Sequence, residues 1–238
     1  MFSFIGRMPV RGEILKISPL QHRGFNAGGR WMKKKKAALA ALIVAGMLTG
    51  CLGRTGTNAQ NAESSRIFVT GTGGLQTATV ETYVQQDYYN ADELKAYLEE
   101  TATSYNQANG EGAVKLESCT MEKGIARMVF QYNSSKDLVS FASQYEDKDN
   151  QVDSLSVTNF SEVSGQVESE GVEFLKASDG KKAEKKALKG ESHAVVVETK
   201  KPVTIQTEGK LLFVSKNVVI KDQHTVQTSE GKNYIIFK

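Results

Sequence analysis

Residues 114–132 read VKLESCTMEKGIARMVFQY, two runs of alternating apolar and polar residues on either side of Lys123-Gly124. Val114 and Leu116 alternate with Lys115 and Glu117. Ala126, Met128, Phe130 and Tyr132 alternate with Arg127, Val129 and Gln131. A period of two sends successive side chains to opposite faces, so each run is a strand with one apolar face, and the glycine-containing turn makes the pair a hairpin. Upstream the period lengthens. Leu94, Tyr97, Leu98, Thr101, Ala102 and Tyr105 fall at helical spacing, with Asn90 as N-cap, Glu93 in the capping-box position and Asn109-Gly110 as the stop. Further upstream, 66–70 (RIFVT) and 76–84 (QTATVETYV) are β-rich and flank Gly71-Thr72-Gly73-Gly74, a first hairpin. Downstream, Ser134 or Ser135 caps a shorter helix carrying Leu138, Phe141, Ala142 and Tyr145. Residues 66–150 are therefore read as β-β-α-β-β-α, an α+β domain with two helices on an antiparallel sheet.

A polar, acid-rich stretch, 146–153, follows. Strand signals resume at 155–160, 172–175, 194–199, 203–206, 211–215, 218–220 and 234–237, so residues 151–238 are expected to form a small all-β unit. Inside it, 176–190 (KASDGKKAEKKALKG) holds six lysines and little apolar surface. Lys181, Lys182, Lys185 and Lys186 would share one face of a short helix. Contact with phospholipid headgroups or an anionic wall polymer is worth about 1 kcal/mol per lysine beside a charged membrane; a solvated linker is the plainer reading.

The front of the chain carries an address. Met32 and Lys33 to Lys36 precede the apolar run 37–47 and then Leu48-Thr49-Gly50-Cys51. A basic cluster, about a dozen apolar residues and small residues at a cleavage point make an export signal. The run is well short of the roughly 20 residues that cross a bilayer. Leu48, Thr49 and Gly50 before Cys51 resemble the lipobox of bacterial lipoproteins. That resemblance implies signal-peptidase recognition of these three residues, a diacylglyceryl group on the Cys51 thiol, and a mature chain that begins there on the extracytoplasmic face of the cell membrane. Residues 32–50 are then the signal peptide. Residues 1–31 are a dispensable or untranslated extension, since Gly28-Gly29-Arg30-Trp31 is encodable by a purine-rich ribosome-binding site ahead of an initiating Met32. Residues 51–65 are rich in Gly, Thr, Asn, Gln and Ser and read as a lipidated flexible tether.

Removing the front reverses the electrostatics. Nine of the 30 Lys and Arg and one of the 27 Asp and Glu precede Cys51, leaving 21 bases against 26 acids and a formal charge of −5 instead of +3. The basic whole-chain balance thus carries no argument for nucleic-acid binding. With Cys51 lipidated, Cys119 has no disulfide partner in the chain and is expected to act as a small buried hydrophobe.

Chemistry-bearing patterns are sparse. His193 and His224 lack metal-ligand spacing. The S-x-x-K matches at Ser178 with Lys181 and Ser229 with Lys232 lie in polar turns without companion motifs. Glu99-Glu100 and Asp147 with Asp149 have the composition of a glycosidase pair, but a helix face and a polar connector make solvated charge the expected state. Tyr83, Tyr88, Tyr89, Tyr97 and Tyr105 suit sugar stacking, and suit core packing better. The glycine turn at 71–74 lacks the following helix and Lys-Ser or Lys-Thr pair of a phosphate loop. No cofactor or metal is predicted.

The lipobox, Asp87-Tyr88-Tyr89 before Asp92-Glu93-Leu94-Lys95-Ala96-Tyr97, the hairpin from Val114-Lys115-Leu116-Glu117 to Phe130, and Tyr234-Ile235-Ile236-Phe237-Lys238 together resemble an uncharacterised family of lipoproteins from clostridial Gram-positive bacteria. The resemblance spans most of the mature chain and implies location, with no activity and no catalytic residues. A looser similarity, to lipoprotein domains of the germination and sporulation type, is confined to 66–150. The leading functional reading is a lipid-anchored envelope protein, non-catalytic, that binds a partner protein or wall polymer. A transporter's substrate-binding component is the alternative, weakened by the lack of two repeated β-α-β lobes. An envelope enzyme comes third.

Overall fold

The structure is a computed structural model that describes residues 59–87, 89–184 and 191–238. The hairpin that opens the sequence reading forms as β3 (Val114–Glu122) and β4 (Ile125–Tyr132). Lys123 and Gly124 both have positive φ, 52° and 77°, the type I′ geometry whose twist matches that of paired strands. The register slips between Leu116 and Ser118, leaving Glu117 as a bulge that keeps the apolar positions on one face despite the extra residue. The first hairpin, β1 (Arg66–Val69) and β2 (Leu75–Thr82), joins β4 through β2.

The two helices also form as read. Helix α1 (Ala91–Asn109) starts at Asn90, whose side chain accepts from the N–H groups of Asp92 and Glu93 at 2.8 and 3.3 Å. It ends where Gly110 turns to φ 117°. Helix α2 (Ser135–Gln144) is capped by Ser134. Its C-terminal end reverses with Glu146 at φ 55°, while the Asp147 N–H donates back to Ala142 at 2.9 Å. This is the Schellman arrangement with glutamate where glycine is usual.

The C-terminal half supplies β5 (Ser154–Asn159), β6 (Phe174–Lys176), β7 (His193–Thr199), β8 (Thr204–Thr207), β9 (Leu211–Ser215), β10 (Val219–Ile220), β11 (Thr225–Gln227) and β12 (Gly231–Phe237). It also contains a helix, α3 (Phe160–Ser169), so the expectation of an all-β unit is corrected here while the α+β class holds. Phe160, Val163 and Val167 lie on one helical face and pack with Phe174, Ala194, Tyr234 and Ile236. A signal for this helix is present in the sequence: Asn159 and Glu162 have N-cap spacing, and the Asn159 side chain donates to Glu162 at 3.1 Å.

The strands fall into two sheets, ordered β10-β11-β8-β1-β2-β4-β3 and β5-β7-β12-β9-β6. The first sheet crosses the boundary near residue 150, because β8 pairs parallel with β1, Ile67 opposite Ile205. The main core likewise draws on both halves: Ile67, Leu98, Phe130 and Phe141 share one buried cluster with Val195, Ile205, Val214 and Ile235. The central strand β12 is covered on both faces, so Tyr234 to Phe237 form an uninterrupted apolar run. Phe141 anchors the α2 contact, with the rings of Tyr105, Phe130, Tyr132 and Tyr145 centred 4.7 to 6.0 Å away. Among the described residues no helix is long and apolar enough to cross a membrane.

Candidate functional site

Where α3 ends, the chain runs into β6 over β12 and β9, and a depression of about 570 Å³ opens there. Its lining includes Glu170, Glu173, Ser215, Lys216, Asn217, Lys232 and Tyr234. Glu170 sits at the C-terminal end of α3 and accepts from Lys232 Nζ at 2.7 Å, from the Tyr234 phenol at 2.6 Å and from Gln166 at 2.9 Å. Glu173 pairs with two lysines, taking Lys182 on one oxygen and Lys216 at 3.0 Å on the other. These donors hold both carboxyls at about 2, with the lysine hydrogen bonds the largest cause in each case. Burial, and then the bond to Glu170, push the Tyr234 phenol up.

The consequence is chemical. Both glutamates are ionised at neutral pH and already partnered, so neither holds a proton to give to a leaving group. Lys232 is held in an ion pair with Glu170, its Nζ 2.7 Å from the carboxylate. The depression therefore presents fixed, alternating charge, suited to recognition of an ionic partner by exchange of ion pairs.

Of the four lysines expected to act together, Lys181 and Lys182 are described and do not lie on a helix. The Lys176 N–H donates to Lys181 O at 2.8 Å and Lys182 bridges antiparallel to Leu175, so 176–182 is a short loop that folds back on β6 and brings Lys182 to the rim of the depression. Lys181 lies 4.0 Å from Asp179 and is largely exposed. Lys185 and Lys186 lie outside the described residues, as do Cys51 and its recognition residues Leu48, Thr49 and Gly50.

Asp147 is not the solvated carboxylate expected of a polar connector. It is 3 % exposed. The Schellman reversal after α2 turns it onto β2, where its Oδ2 accepts from Thr79 Oγ1 at 2.8 Å and from Asn150 Nδ2 at 3.0 Å. Its Oδ1 and the Oδ1 of Asn150 are buried without a donor. Burial pushes the carboxyl up to about 6 against the opposing pull of these hydrogen bonds, and Asp149 adds to the rise. Asp149 itself is exposed and accepts from Ser65, so the two acids differ in environment and do not converge on one space. Sequence reasoning missed Asp147 because acid-rich connectors are usually wet, and only the sheet contact makes this one dry.

The other singled-out residues take structural places. The His193 ring lies 5.4 Å from that of Phe237. His224 Nδ1 is 2.9 Å from Gly209 O. Three N–H groups of the glycine turn are already used: Gly71 donates to Glu208, Gly73 to Thr70 O and Gly74 to the Thr70 hydroxyl. Glu99 and Glu100 are exposed, with Lys95 3.9 Å from Glu99. Tyr105 is core, whereas Tyr83 and Tyr89 meet edge to face at 5.7 Å in the loop before α1; Tyr88 lies outside the described residues. Cys119 is half-buried, and loss of solvent raises its thiol to about 11. Among the described residues no three His, Cys, Asp or Glu are placed to share a metal ion.

Compared with protein-family models, curated proteins and solved structures, the chain shows no match in any of the three.

Proposed function

We propose that this chain is a lipid-anchored, extracytoplasmic protein of a bacterial envelope that works as a non-catalytic binding or interaction module. The observation that carries the reading is the run from Lys33 to Cys51: basic cluster, short apolar segment, and Leu48-Thr49-Gly50 directly before a cysteine. A diacylglyceryl group with two chains gives stable attachment, since each buried methylene contributes about 0.8 kcal/mol. The resemblance to clostridial lipoproteins belongs to the same proposal. The binding role is supported by the alternating charges of the depression at Glu170 and Glu173, with the Lys-rich segment reaching its rim through Lys182. Partners of matching chemistry are an envelope protein or an anionic wall polymer; nucleic acid is not among them.

The test is metabolic labelling with palmitate. Wild-type protein should take up label and mature, and Cys51→Ala should lose the label and accumulate as an uncleaved precursor. A Cys51→Ala protein that still carries fatty acid sinks the anchor. For the binding role, in-cell crosslinking is compared with the Lys181, Lys182, Lys185 and Lys186→Glu variant; wall polymer captured by wild type and lost in the variant supports the lysine contact.

A further inference from the structure

The stretch expected to be a free tether is partly bound to the domain. Ala59 and Ala62 are 2 % and 4 % exposed, and they pack with Phe68, Ala78 and Val129. These three residues belong to the outer face of the seven-stranded sheet, since the strand register alternates them with Ile67, Thr77 and Phe130, which point inward. A single 3-10 turn, Ala59–Asn61, forms the contact. Polar bonds continue it along the same face. Arg127 Nε donates to Ala62 O at 3.1 Å. Arg66 donates to Ser64 O and Oγ at 3.1 and 2.8 Å and to Gln206 Oε1 at 2.9 Å. Ser65 Oγ accepts from Val80 N at 2.9 Å and donates to Asp149 at 2.8 Å.

We infer that residues 59–65 are a strap that fixes where the chain leaves the domain, so that the outer face of the seven-stranded sheet, and not the helical face or the depression, is held toward the lipid surface. This rests on the anchor proposed at Cys51. Eight residue steps separate Cys51 from Ala59, which limits the reach to about 28 Å, whereas a tether free as far as Arg66 would allow about 50 Å. The shorter limit is less than a domain diameter of about 30–40 Å, so the domain cannot turn over beneath its anchor while the strap is docked. The depression at Glu170 and Glu173, on the α3 side of the second sheet, is thereby left free to meet partners away from the membrane.

The experiment uses the full-length lipidated protein in phosphatidylglycerol vesicles that carry acceptor-labelled headgroups. In a Cys119→Ser background, a donor dye is placed at Gln131→Cys or Gln107→Cys. Gln131 stands opposite Gln76, itself opposite Phe68, so it is on the outer face; Gln107 is exposed on α1, across the sheet. Transfer to the lipid plane should be at least about twofold greater from Gln131. In a third protein, Ala59→Asp with Ala62→Asp should collapse that difference while circular dichroism is retained. Equal transfer, or greater transfer from Gln107, in a protein that carries fatty acid and floats with vesicles overturns the strap alone. A protein that neither carries fatty acid nor floats overturns the anchor and this inference with it.

Discussion

Replacing Asp147 with Asn should remove a specific share of the protein's pH-dependent stability. Burial raises this carboxyl from 3.8 to about 6. Between those values the folded protein binds a proton that the unfolded chain has released, so stability conferred by the neutral acid is complete below about 4, declines as pH rises, and is gone above about 6. A shift of about two units corresponds to roughly 3 kcal/mol. Asn at 147 is neutral at every pH, and its carbonyl oxygen replaces the Oδ2 that accepts from Thr79 and Asn150. Its amide nitrogen replaces the oxygen that lacks a donor and supplies one to a cluster in which Asn150 Oδ1 also lacks one. The variant should therefore be more stable than wild type by about 1–3 kcal/mol at pH 7.5, and no more stable at pH 4.5. Urea unfolding of both proteins across this range gives the result directly, because the difference between the two curves cancels every other titrating group. A variant destabilised equally at both pH values would refute the reasoning, showing that the Thr79 and Asn150 bonds outweigh burial and hold the carboxyl in its ordinary range.

Phe141→Ala removes the ring at the centre of four aromatic contacts and should cost about 3–5 kcal/mol by chemical denaturation; a loss under 1 kcal/mol would mean that α2 is not clamped as described. Glu146→Gly relieves a non-glycine residue at φ 55° and should raise the melting midpoint, by up to about 1 kcal/mol in stability. Gly124→Ala should destabilise by more than about 1 kcal/mol, since φ is 77° and a Cβ would meet Tyr83 O at 3.1 Å. Cys119, raised to about 11, should react with a disulfide reagent at pH 7.5 at least about 10-fold more slowly than free cysteine, since its smaller thiolate fraction outweighs its greater nucleophilicity, and a rate near that of free cysteine would contradict its half-buried place.

What was legible before the structure was whatever is enforced by near neighbours in the chain. The alternation at 114–132, the Lys123-Gly124 turn, the Asn90 cap and the Gly110 stop each depend on a handful of consecutive residues, and each forms as read. Helix α3 is not legible in the same way, because 160–169 carries only Phe160, Val163 and Val167 as apolar residues around an internal Gly165, and its Asn159 to Glu162 start is a weak signal. The charge distribution was legible only in part: the lysines at 181 and 182 are visible in sequence, but not their partners. Lys182 meets Glu173 nine residues back, and Lys232 meets Glu170 across 62 positions.

The sequence by itself determined the element types of residues 66–150 and the α+β class, because caps, turns and periodicity are local chemistry. Only the tertiary structure decided that β1 and β8 pair across some 140 residues and fuse the two halves into one sheet, that Asp147 is dry, and that 59–65 is docked. Each of these depends on which faces meet in the folded chain. A carboxylate's solvent, a strand's neighbour and a tether's freedom are set by surfaces brought from distant positions, and no short window of residues contains them.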